Sequence, residues 1–153
     1  MRAPRSAAVL LAMVILSGCA MVQPGPTRTM GPYDAKASRA VSAGASSVES
    51  AWLVWEASRA GRIQRNAAVV ALNDAEGSLA AALHAFEKVQ SPGTVGDERR
   101  DEVRHLLADA DDALVALRSS ARRDRLGSQE AHDEAASLRR AGDALQRWLE
   151  GQG

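Results

Sequence analysis

The 153 residues carry 19 basic and 19 acidic side chains, one cysteine and only 3% aromatic residues. A chain without net charge offers no broad attraction to nucleic acid or to an anionic membrane surface. One cysteine excludes an internal disulfide, and the length suits a single domain with one modest core.

At the N-terminus, Arg2 and Arg5 stand with no acid near them, and Ala7 to Leu16 is an uninterrupted apolar run of ten residues ending at Ser17 and Gly18. That is the shape of a secretory signal peptide. A membrane span needs about 20 apolar residues, so the run is too short to be one. Leu16-Ser17-Gly18-Cys19 resembles the lipobox of bacterial lipoproteins: an aliphatic residue, a small residue, Gly or Ala, then cysteine. The resemblance covers roughly a tenth of the chain. It implies a diacylglycerol on the Cys19 thiol, cleavage between Gly18 and Cys19, and fatty acylation, as by palmitate, of the new amino terminus. The alternative is an ordinary signal peptide in which Gly18-Cys19-Ala20 serves as a small-x-small cleavage site. Two or more acyl chains hold a protein stably at a bilayer. The implied partner is therefore membrane lipid, and the implied location is the exported side of the cell envelope. Ala20, where Asp often marks inner-membrane retention in this class, favours the outer membrane facing the periplasm if the source has one. Otherwise the anchor sits on the outer face of the plasma membrane.

Residues 1–18 are thus read as a cleaved signal peptide, 19–33 as a lipidated cysteine and tether, 34–150 as the domain and 151–153 as a tail. The tether holds Pro24, Pro26 and Pro32 with Gly25 and Gly31. A flexible segment of this length spans roughly 20 Å. All 19 acids fall in the remainder with 17 cations, a net charge of about −2.

From Asp34, read as an N-cap, the pattern is helical throughout. Ala37, Val41, Ala45, Val48, Trp52 and Trp55 draw one apolar stripe to about Ala60. Gly61 interrupts it, and Asn66 is expected to cap a second segment with Val69, Leu72, Leu79, Leu83 and Phe86 on one face. Ser91 to Gly96 is a loop, after which Asp97 caps a third segment carrying Val103, Leu107, Ala110, Leu114, Leu117 and Ala121. Gly127 reads as a C′ glycine and Ser128 as the next N-cap. The last segment carries Ala131, Ala135, Leu138, Leu145 and Leu149, with Trp148 at the flank. The expected fold is all-α, an up-down-up-down four-helix bundle. The alternatives are a hairpin of two helices roughly 80 Å long at 1.5 Å per residue, or a three-helix form bent only at Gly127.

No nucleophile elbow, phosphate loop or paired base appears, so no catalytic residue is assigned and the domain is read as non-enzymatic. Glu102-Val103-Arg104-His105 is a single Glu-x-x-His, where di-iron bundles need two with further carboxylates, so no metal or other cofactor is assigned. Glu76 falls within an apolar face; it is expected either to pair with an arginine of a neighbouring helix or, with His84, to contact a ligand inside the bundle. Trp52-Leu53-Val54-Trp55 is apolar all round, so Leu53 and Val54 are candidate contacts for a partner. Arg118, Arg122 and Arg125 form a second candidate surface, although cations at a helix C-terminus also suit its dipole. The sequence therefore favours an envelope structural or protein-interaction module, with a ligand carrier as the alternative.

Overall fold

The computed structural model describes residues 29–152. The expectations at Gly18 and Cys19 lie outside the described residues. Within those described, the chain forms four α-helices and no strand: α1 Met30–Arg59, α2 Arg65–Glu87, α3 Thr94–Arg122 and α4 Gln129–Glu150. Short connections fold them into a four-helix bundle. Neither the long hairpin nor the three-helix form survives, because the chain turns at Gly61 as well as at the two later loops.

The turns have local causes. At the end of α1, Gly61 takes φ 65°, its N–H bonding to the Ser58 carbonyl while Arg62 N–H reaches Ala57. This Schellman pattern satisfies carbonyls that the last helical turn leaves open. The end of α3 repeats it with Asp124 at φ 60°, its N–H on Ala121 and Arg125 N–H on Ser120. The left-handed residue is therefore Asp124, not Gly127 as expected. Asp124→Gly removes a backbone strain of roughly 1 kcal/mol and loses only an exposed 3.6 Å contact with Arg65. A gain of up to about 1 kcal/mol in urea unfolding is expected, and a loss would show that the Arg65 contact dominates. Ser128 does cap α4, its hydroxyl accepting from Ala131 N–H at 3.2 Å.

Three other expected boundaries shift. Thr29, not Asp34, is the N-cap of α1, so the helix takes in Pro32 and buries Tyr33 completely against Phe86, ring centroids 5.9 Å apart. Proline is tolerated there because the first N–H groups of a helix have no intrahelical acceptor to lose. Gln64 rather than Asn66 precedes α2. Gly93, at φ 93°, precedes α3, leaving Asp97 inside the first turn, where it accepts a hydrogen bond from the Ser91 hydroxyl.

The expected stripe of α3 is buried at every position from Val103 to Ala121. On α4, Trp148 is buried and Leu149 half-buried, the reverse of the expectation. The packing is not square. α1 contacts α2 and α4 and also crosses the diagonal to α3, whereas α2 and α4 do not meet. The inward positions of α1 are mostly small, among them Ala37, Ala40, Gly44, Ala45, Ser47 and Ala51. At Gly44 a Cβ would stand 2.5 Å from Leu107 Cδ2, 3.2 Å from Leu79 Cδ1 and 3.7 Å from Leu145 Cδ1. Leucines of the other three helices thus converge on one missing side chain, and that absence sets the short diagonal.

Candidate functional site

Three groups of side chains bear on function, each on a different part of the bundle. The first is a polar seam between α2 and α3. Glu76 shares a helix face with buried Leu72 and Leu79, and Arg118 of α3 meets it, Nε to Oε2 at 2.7 Å with about a fifth of each side chain exposed. Neither atom completes an aligned hydrogen bond, so the contact is chiefly Coulombic. Arg118 and Arg122 each also donate to Asn73 Oδ1 at 3.1 Å. Burial raises the Asp111 carboxyl above its ordinary range; the negative charges of Glu76 and then Asp112 add to this, and Arg118 opposes it. The seam is a guanidinium holding carboxylates apart, and the larger surface grooves are lined by other residues.

The expected pairing of Glu76 with an arginine is thus present. His84 lies exposed eight residues further along α2, about 12 Å away at 1.5 Å per residue, so the two side chains do not frame a common interior site. His105 is also exposed, 3.9 Å from Asp109. Among the described residues, no group of three or more His, Cys, Asp or Glu is placed to hold a metal ion.

The second group is an aromatic and cationic seam between α1 and α4. Trp52 and Trp55 lie 4.8 Å apart, Arg139 covers Trp52, Arg59 covers Trp55, and the His132 ring meets Trp55 edge-on at 5.3 Å. Arg139 also reaches Glu49 at 3.3 Å. Sequence periodicity placed the tryptophans inward but could not show that arginines cover them.

The third group is outward. Leu53 is 55% exposed on α1, while Val54 is half-buried against the core. Val70, 58% exposed, was not expected as a site residue. It stands near the start of α2, beside the same connection that ends α1. A hint lay in the tandem Val69-Val70: with Val69 on the core stripe, Val70 falls off it by 100°. In the arginine row, Arg118 is half-buried while Arg122 and Arg125 are exposed. Arg118 points into the α2–α3 seam, Arg125 approaches Glu130 at 3.7 Å, and Arg122 donates to Asn73. The last carbonyls of α3 are capped by Arg65 of α2, which donates to the Ala121 and Arg122 oxygens. That contact joins residues 56 and 57 positions apart in the chain and had no local signal.

No helix among the described residues is long and apolar enough to cross a membrane. No protein-family model, curated protein or solved structure matches the chain.

Proposed function

We propose that this chain is a lipoprotein anchored at the cell envelope through acylated Cys19, and that its helical domain is a non-enzymatic structural or protein-interaction module. The single observation that carries the interaction reading is Leu53, a large apolar side chain held outward on a rigid helix. Val70 adds a second such side chain at the same end of the neighbouring helix. An apolar side chain that leaves water on contact is what a partner surface needs at its centre. The domain otherwise fills its own interior with apolar side chains and pairs Arg118 with Glu76. Lipobox and signal-segment residues support the anchor.

The test is a photoreactive amino acid placed at position 53 of the full chain in cells. A discrete adduct in the membrane fraction is expected, lost when Val70→Asp is added. Leu53→Asp alone should leave the melting temperature within about 2 °C of the parent, since exposed substitutions seldom exceed 0.5 kcal/mol. Cys19→Ser should release the chain from the membrane fraction. Absence of any adduct at positions 53 and 70 would remove the interaction surface, and membrane retention of Cys19→Ser would remove the anchor.

A further inference from the structure

Two exposed apolar side chains and one groove lie along the same side of the bundle, that of α1 and α2. Gly44 faces Leu79 across these antiparallel helices. Leu53, nine residues on, therefore stands level with Val70, nine residues back, and the two outward side chains form one ridge. Towards the start of α1 the same side opens into a groove of about 280 Å³, with Ala40, Ala43, Ala82 and Ala85 in its walls and buried Phe86 and Val89 as its floor. Arg39 stands at its edge. Seven-residue steps hold one line along packed helices, and Arg39, Ser46 and Leu53 follow such a line on α1, as Val70, Gly77 and His84 do on α2. These six residues are exposed. The hydroxyls between ridge and groove are satisfied within their own helices: Ser46 donates to the Ser42 carbonyl, Ser50 to Ser46 and Ser78 to Asp74.

We infer that this side pairs with the same side of a second copy of the chain, antiparallel about a two-fold axis near Ser46 and Gly77, each ridge seated in the other copy's groove. The inference rests on the reading of Leu53 as a contact surface and names its partner. Three observations select a second copy. The spacing is symmetric: Ser46 lies seven residues from Arg39 and seven from Leu53, so a two-fold there sets Leu53 and Val70 of each copy against the groove of the other. The stretch between them is made of serine and glycine, small enough for close approach and with no hydroxyl that must keep its water. The charges also match. Arg39 and Asp74 are exposed, and neither side chain pairs with a described residue. Within one copy they stand about 15 Å apart along the helices, because Asp74 is level with position 49. In the pair, Arg39 comes level with position 53 of the other copy, one helical turn from its Asp74, a gap that an arginine side chain spans. Both Cys19 residues reach one bilayer when the paired bundles lie along it, since ten residues separate Cys19 from Thr29 and span at most about 35 Å.

The test expresses the full chain in cells as two differently tagged copies, one carrying benzoylphenylalanine at position 53. Irradiation is expected to give an adduct of twice the chain mass that either tag recovers. Its crosslink should map to the peptide holding Ala82 to Val89, which within one copy stands at least about 18 Å from Leu53 along the bundle. Ala85→Trp in the other copy, at an exposed position, should cut the adduct at least tenfold by filling the groove. Arg39→Asp in both copies should cut it at least threefold. Arg39→Asp with Asp74→Arg should restore at least half, because the exchanged charges meet only between copies. This exchange keeps the test decisive if the tryptophan variant proves unstable by circular dichroism. An adduct of any other mass would overturn the second copy as occupant while leaving Leu53 a contact surface, and no adduct at all would remove both. A crosslink to the region of position 53 in the other copy, or no recovery on charge exchange, would overturn the antiparallel pairing.

Discussion

Gly44→Val is expected to lower the melting temperature by roughly 10 °C, because overpacking a core costs about 1–3 kcal/mol and each kcal/mol moves a domain of this size by about 4 °C. The first added carbon alone would stand 2.5 Å from Leu107 Cδ2, with Leu79 and Leu145 closing the other sides. Relaxation then requires α1 to move off α3, which strips contacts along the diagonal. Gly44→Ala separates space from backbone preference. It gains about 1 kcal/mol of helix propensity, offset by the displacement of one leucine methyl, so its net effect should stay within about 1 kcal/mol. The decisive comparison is Gly44→Val combined with Leu107→Ala. Leu107→Ala alone costs about 2–5 kcal/mol through its cavity. Together the two should fall short of the sum by about 1–3 kcal/mol in urea unfolding, because each fills or vacates the same space. Strict additivity would mean that the short diagonal is absent in solution.

Arg118→Met should cost about 2 kcal/mol at neutral pH. Breaking a fully buried pair costs about 3–5 kcal/mol, and the discount reflects the fifth of each side chain that water reaches. The loss leaves Glu76 and Asp111 facing each other without the guanidinium that holds both. Its pH dependence has a definite sign. The Asp111 carboxyl is raised in the folded state, so folding favours its proton. That contribution is fully present below the unfolded pKa, near 4, and fades as pH rises through the folded value. Arg118 is the one cation pulling that value down, so the variant raises it further. The deficit of Arg118→Met should therefore be largest near pH 7 and shrink towards pH 4 as Asp111 takes its proton. Adding Glu76→Gln should recover about 1 kcal/mol. A variant within 0.5 kcal/mol of the parent at every pH would show that the pair contributes nothing to folding.

How much was legible depended on whether a residue's fate is decided within its own helix. The stripe of α3 is the clearest case: leucines at three- and four-residue steps among dense charge leave only one face to bury, and all six expected positions are buried. Tyr33 is the opposite case. Pro32 and Gly31 beside it read as tether, yet Phe86 on another helix supplies the burial that extends α1 back to Met30. The candidate sites divide in the same way. Glu76 announced its need for a cation by sitting on an apolar face, but the identity of that cation required α3 in place. Arg118 read as part of an outward row because its neighbours 122 and 125 share a helix end, whereas a carboxylate across the seam turned it inward.

The sequence by itself determined the helical periodicity and the loop around Pro92. Each follows from local backbone preference and from which side chains avoid water. Only the tertiary structure decided that the chain would turn at Gly61, that Gly44 would receive three leucines, and that Arg65 would cap a helix it does not belong to. Those outcomes depend on distances between elements far apart in the chain, and packing at the density of a solid is settled by all four helices together.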